Sequence, residues 1–169
     1  YLYGRLDYER VGMPRGLADF GLGRMRRLMA RLGDPQVGLR ILHVAGTKGK
    51  GSTAAMTAAA LSAAGVATGL YTSPHLDGLE ERYQIDGVPI ASEELFALVD
   101  EVRTAVDAME AEGRTGATFF EITTAVALLY FARRKVGAVV LEVGMGGRLD
   151  STNVVRPLVS VVTSIALDH

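Results

Sequence analysis

The chain has 169 residues, 18 Lys and Arg against 19 Asp and Glu, a formal net charge of -1, 49% hydrophobic residues and no cysteine. That length suits one domain with a sizeable core. The hydrophobic, nearly neutral composition excludes charge-driven disorder and leaves no overall positive field for a nucleic-acid backbone. Without cysteine there is no disulfide framework, thiol nucleophile or thiolate metal site, and a reducing, cytoplasmic setting is expected.

Leu22, Met25, Leu28, Met29 and Leu32 share one helical face while Arg24, Arg26, Arg27 and Arg31 occupy the rest, which predicts an amphipathic helix with a solvated basic side. Gly33, Asp34 and Pro35 end it. Residues 40–45 (RILHVA) read as a short buried strand, 52–64 as an alanine-rich, closely packed helix, and 66–71 as the next strand. The longest uncharged stretch, 51–75, consists mainly of Ala, Gly, Ser and Thr and is too weakly apolar to predict a membrane span. Nothing resembling a signal peptide opens the chain, which begins at Tyr1, so the true N-terminus is expected upstream.

Residues 72–79 (TSPHLDGL) are a loop, and 83–90 a hairpin turning at Asp86-Gly87. Ser92 is placed to cap a helix in which Leu95, Leu98, Val99, Val102 and Val106 recur at helical spacing, with Glu93 and Glu94 at the favourable end of the dipole. It should end near Glu112. Thr118 and Glu121 match a capping box that opens a helix through Arg134. Residues 138–143 (AVVLEV) form a continuous apolar strand, 144–153 a glycine-rich loop and 158–165 a further strand. Helices alternating with buried strands predict an α/β fold with a mostly parallel sheet covered on both faces. The sequence stops at Asp168-His169, where such a sheet calls for a crossover helix and more strands, so a longer parent protein is expected.

The segment Gly46-Thr47-Lys48-Gly49-Lys50-Gly51-Ser52-Thr53 joins a buried strand to a helix, the context of a phosphate-cradling loop. Glycines turn successive N–H groups inward, the helix N-terminus adds positive potential, Lys50 reaches outer phosphates, and Ser52 or Thr53 offers a hydroxyl. The strict pattern GxxxxGK[ST] is not met, because Val44 holds the first glycine position and Gly51 follows the lysine. A solubilising glycine-lysine turn is the plainer alternative. Glu142 ends an apolar strand, where an unpartnered charge is costly, and a carboxylate beside a phosphate loop suits Mg²⁺. A salt bridge to Arg148 or a lysine competes with that reading. Ser73-Pro74-His75, Asp168 and His169 also follow strands and should emerge at the same sheet edge. Glu121, Phe119 and Phe120 are explicable as cap and core, and Arg148, Asp150 and Asn153 as a network within their loop.

Taken together in this order, HVAGTKGKGS, YTSPHL, TFFEITT, LEVGMGGRLDSTN and TSIALDH resemble the folylpolyglutamate synthase / dihydrofolate synthase family of Mur-type ligases, over residues 19–169. The resemblance implies the first part of a P-loop NTPase-like Mur ligase ATPase domain, cytoplasmic, in a monomeric parent. It also implies an ATP-dependent ligase that phosphorylates a folate or dihydropteroate carboxylate and lets L-glutamate displace the phosphate. By that resemblance residues 46–53 (Gly46, Thr47, Lys48, Gly49, Lys50, Gly51, Ser52, Thr53) hold ATP, Ser73, Glu142 and His169 hold Mg²⁺, and Lys50, Glu142 and His169 serve catalysis. The pterin side falls to Asp19, Gly21, Leu22, Pro74, His75, Thr118, Phe119, Phe120, Glu121, Arg148, Leu149, Asp150 and Ser151. Family loops usually read GTNGKGS, so Lys48 replaces an Asn. Relatives continue with a modified lysine, the rest of the sheet and a glutamate-binding domain, so this chain alone is expected to be catalytically incompetent. A cell-wall Mur ligase acting on a UDP-linked muramyl acceptor and a non-catalytic nucleotide-binding module are the alternatives; neither nucleic acid nor membrane is expected as a partner.

Overall fold

A computed structural model describes residues 1–7 and 21–166. Six strands, β1 (Ile41–Ala45), β2 (Thr68–Tyr71), β3 (Tyr83–Ile85), β4 (Val88–Pro89), β5 (Ala138–Glu142) and β6 (Val159–Val162), form one sheet in the order β4-β3-β2-β5-β1-β6. The four from β2 to β6 run parallel, and the hairpin β3-β4 adds an antiparallel flank. Its turn has positive φ at both Asp86 (50°) and Gly87 (78°), the geometry that matches strand twist in a two-residue hairpin.

Alternation along the strands divides the core in two. Ile41, Tyr71, Val139 and Leu141 point to the larger half, shared with helices α1 (Leu22–Arg31), α3 (Ser92–Ala111) and α4 (Phe119–Arg134). Val44, Leu70 and Val140 point the other way onto Ala54 and Ala58 of α2 (Lys50–Ala63). Helices thus cover both faces, as the strand pattern predicts, and the small side chains of α2 let it lie close to the sheet. Helix α4 is buried along most of its length and forms the middle of the larger half. None of the described helices is long and apolar enough to cross a membrane.

The capping box at α4 forms as read: Thr118 Oγ1 accepts from the Glu121 N–H at 3.2 Å and Glu121 Oε2 accepts from the Thr118 N–H at 2.9 Å. Thr118→Ala is expected to cost about 1 kcal/mol in urea denaturation, and an unchanged midpoint would show that the box is dispensable.

Four sequence expectations need correction. Ser92 is not the cap of α3; Ala91 is, and the Ser92 hydroxyl instead donates to Glu80 at 2.8 Å. Arg24 is not on a solvated face, since its Nε meets Glu121 Oε2 at 2.6 Å in a partly buried pair, and Arg31 pairs with Glu112. Helix α2 starts at Lys50, two residues early, because Gly49 (φ 79°) turns the chain into it. Strand β6 stops at Val162 rather than residue 165, because after Thr163 bonds Ala45 the chain turns to bond Thr47 of the glycine-rich loop through Ser164 and Ala166.

Candidate active site

Because β1, β2, β5 and β6 are parallel, the segments that follow them share one edge of the sheet. After β1 the chain turns at Gly46 (φ 138°) and Gly49 and enters α2 directly, so the N–H groups of its first turn face outward from the helix N-terminus beside the Lys50 side chain. Val44, the mismatch to the strict phosphate-loop pattern, is a buried strand residue of the smaller core half. The Lys48 side chain is exposed.

This loop is held in place from a distance. Thr47 N–H donates to the Ser164 carbonyl at 2.6 Å, the Lys48 carbonyl accepts from Thr163 Oγ1 at 2.7 Å, and the Ala166 N–H donates to Thr47 Oγ1 at 3.0 Å. Gly46 is required here twice over: its φ disfavours any side chain, and a Cβ would collide with the Thr163 hydroxyl. The sequence motif TSIALDH marked this segment for its terminal His, not for these contacts.

Glu142, only 4% exposed, ends β5 with its carboxylate against α2 and the loop after β2. Its Oε2 accepts from the Ser73 N–H at 3.1 Å, and a Cβ built on Gly51 would lie 3.4 Å from Oε1. The buried Glu142 carboxylate and the neighbouring Ser73 hydroxyl are hard oxygen donors of the kind that suit Mg²⁺, which takes one or two carboxylates with phosphate oxygens and water. Among the described residues no cluster of three or more His, Cys, Asp or Glu forms a closed metal cage. The expected third ligand, His169, its neighbour Asp168, and Asp19, expected on the substrate side, lie outside the described residues.

The loop after β2 is ordered by its own carboxylate. Glu81 accepts from the N–H groups of Leu76, Asp77 and Gly78, each at 3.0 Å, and these bonds hold its carboxyl below the usual carboxylate range. Pro74 is exposed and joined to Ser73 by a cis peptide bond, and His75 Nδ1 accepts from Arg82 Nε at 2.8 Å. That bond puts the imidazole proton on Nε2. Arg82, 1% exposed, also lies 5.2 Å from the centre of the Phe119 ring. Sequence reasoning missed Arg82, which sits in no motif; its only signal is a charge immediately before the short strand Tyr83–Ile85.

The remaining substrate-side residues divide by exposure. Gly21, Arg148 and Leu149 are exposed, and Leu22, Phe120 and Ser151 half-buried. Phe119 is buried and stacked on Tyr3 with ring centres 6.1 Å apart, Thr118 and Glu121 bind each other, and Glu121 also pairs with Arg24. Phe120 packs on Tyr71 and against Gly144, where a Cβ would strike its ring.

Asp150 is buried inside its loop. Its Oδ2 accepts from the Met145 N–H at 2.8 Å, and its Oδ1 accepts from the Thr152 N–H at 2.9 Å and the Thr152 hydroxyl at 2.5 Å. Burial nonetheless pushes its carboxyl up from the ordinary value, against the lowering effect of these bonds. The Thr152 hydroxyl also meets Nε2 of His43, a β1 residue, at 2.8 Å.

Burial lowers the His43 pKa from its ordinary 6.5. Between the depressed folded value and 6.5 the unfolded chain binds the extra proton, so this contribution to stability is complete above pH 6.5 and lost as pH falls. Asp150 acts with the opposite sign, its raised value favouring the folded state below the carboxylate range and losing that contribution as pH rises. Melting curves of wild type and His43→Gln isolate the histidine: wild type should lose stability relative to the variant between pH 7 and pH 5. Parallel curves would contradict it.

No protein-family model matches the chain. It is 51% identical over 150 residues to the dihydrofolate synthase/folylpolyglutamate synthase of Bacillus subtilis, covering 88% of this chain and 35% of that protein. The crystal structure of folylpolyglutamate synthase from Thermotoga maritima superposes with a TM-score of 0.87 at 36% identity, covering 100% of this chain and 37% of the other. An FPGS-AMPPCP-folate complex superposes with a TM-score of 0.86 at 43% identity, covering 94% of this chain and 39% of that one. The chain spans between 18% and 35% of the length of curated relatives that it matches. Over the residues it contains, in sequence and in fold, the chain is a homologue of the folylpolyglutamate synthase and dihydrofolate synthase family.

Proposed function

We propose that this chain is the first part of the ATP-binding domain of a ligase that joins L-glutamate to the carboxylate of a folate or dihydropteroate. The observation that carries the reading is the meeting, at one sheet edge, of the Gly46–Thr53 loop, the buried Glu142 carboxylate and Ser73. The AMPPCP and folate bound in a homologue of the same fold support nucleotide and pterin as its small-molecule substrates.

In this reading the loop N–H groups and Lys50 hold the ATP phosphates, while Glu142, Ser73 and His169 hold Mg²⁺. The metal, when bound, neutralises charge on the phosphoryl group being transferred. A carboxylate oxygen of the pterin substrate attacks the γ-phosphorus and ADP leaves; the amino group of glutamate then attacks the acyl carbon, and phosphate and a proton are released. No protein nucleophile is needed, so positioning and electrostatics carry the rate. Pro74, Leu149, Arg148, Ser151, Gly21 and Leu22 offer accessible surface for the pterin side. The remaining sheet, the modified lysine and the glutamate site belong to further parts of a longer, monomeric, cytoplasmic protein.

The test is ADP release by the full-length protein with Mg-ATP and L-glutamate, offered dihydropteroate, a reduced folate or a UDP-linked muramyl acceptor separately. Release with either pterin is expected. Release with the sugar alone assigns the chain to cell-wall ligation, and silence with all three despite ATP binding makes it a nucleotide-binding module.

A further inference from the structure

His43, Thr152 and Asp150 form a buried polar file that the phosphate chemistry does not use. All three side chains are nearly closed to solvent, at 7%, 0% and 7% exposure. The hydrogens can be placed by counting. A threonine hydroxyl has one proton, and Thr152 gives it to Asp150 Oδ1 at 2.5 Å. Toward His43 the same oxygen therefore accepts, and the 2.8 Å contact is an Nε2–H donated by the imidazole. The file runs His43 to Thr152 to Asp150.

Its two ends belong to different parts of the site. His43 lies in β1, three residues before Gly46, paired in register with Leu141 of β5 and Ser160 of β6. It is therefore fixed to the sheet at the root of the phosphate loop. Asp150 organises the loop that begins at Gly144, and that loop's tip displays Arg148 and Leu149 to solvent. Purely apolar packing would hold the two together without direction. A donor chain instead sets which way the Asp150 carboxyl is turned, and with it the Met145 N–H bonded to Oδ2.

We propose that His43 is a positioning residue, acting through Thr152 on Asp150 to set the 144–151 loop relative to the phosphate loop and so align the acceptor carboxylate with the nucleotide. The proposal rests on the ligase reading above for its kinetic consequence, not for its geometry. His43 itself contacts neither substrate.

Two arms test it in the full-length protein. In the kinetic arm, His43→Leu and Thr152→Val each lower kcat for pterin-dependent ADP release about tenfold while leaving the KM for ATP within about twofold, since the phosphate loop keeps its own contacts. His43→Gln, which retains a donor at similar reach, and Thr152→Ser, which retains the hydroxyl, restore most of the rate. The double variant His43→Leu/Thr152→Val is no slower than either single one, because both cut the same file. Equal losses in ATP affinity and turnover, or no rescue by the donor-retaining variants, would overturn the proposal in favour of a merely structural bond.

The second arm needs no activity. Nitrogen-15 spectra of the unsubstituted protein are expected to show the His43 proton on Nε2, and amide exchange at Met145 should quicken in Thr152→Val relative to Thr152→Ser. A proton on Nδ1, or Met145 exchange indifferent to the hydroxyl, sinks the file itself. If the wild-type protein releases no ADP with any pterin, the ligase reading fails, and this arm still decides between an aligned file and none.

Discussion

Glu142→Gln is expected to lower pterin-dependent ADP release by about a hundred- to a thousandfold without lowering the melting temperature. The side chain ends an apolar strand at 4% exposure, and its Oε2 accepts the Ser73 N–H at 3.1 Å. A glutamine keeps that acceptor and the volume, and it relieves the cost of a buried charge. What it removes is the negative charge beside the N-terminus of α2, where the proposed Mg²⁺ would be held. Steady-state ADP release at saturating Mg-ATP, with melting curves alongside, separates the two properties. A loss below about tenfold would take Glu142 out of the role assigned to it, and a large loss together with unfolding would make it structural.

Gly69→Ala is expected to be the most damaging small substitution in the sheet. Gly69 lies in β2, bonded in register to Ile85 on one side and Val139 on the other, so its backbone cannot retreat. A Cβ there would stand 2.6 Å from Phe131 Cδ1 of α4, well inside contact distance. Phe131 is itself fully buried in the larger core half, so the ring has nowhere to turn. Overpacking of this kind costs about 3 kcal/mol, a drop in melting temperature on the order of 10 °C for a domain of this size. Gly69→Ala/Phe131→Leu should recover most of the loss, since the smaller side chain makes room for the methyl group. An alanine tolerated within about 0.5 kcal/mol would mean that α4 stands farther from β2 than described.

The parts of this molecule that could be read beforehand are those written within a few residues. The Thr118/Glu121 box, the Asp86-Gly87 turn and the AVVLEV run of 138–143 each state their conformation locally; the first two are found as read and the strand ends one residue earlier, at Glu142. Parallel strands then bring the Gly46–Thr53 loop, Ser73 and Glu142 to one edge, so the described half of the predicted nucleotide and metal site follows from strand direction alone. What could not be read are partnerships between distant residues. Ser92 looks like a cap until Glu80 is seen beside it; Arg24 looks solvated until Glu121 arrives from another helix. Arg82 sits in no motif and His43 only opens HVAGTKGKGS, because their significance lies in the partners His75 and Thr152, the latter 109 residues from His43. On the pterin side, Phe119, Glu121 and Asp150 fit their motifs and are nevertheless occupied by intramolecular contacts. Sequence identifies such residues as special without saying whether they touch a ligand or shape the wall that does.

The bonds that tie Thr47 and Lys48 to residues 163–166 span 115 to 119 positions of sequence. During synthesis, at about 5–20 residues per second, roughly ten seconds separate the appearance of the glycine-rich loop from that of the segment that fixes it. Strand β1 also waits through that interval for both of its neighbours, β5 and β6. A ribosome-bound intermediate therefore displays the loop sequence without the contacts that fix it. The contacts that fix this loop form only after nearly all of these 169 residues have been made.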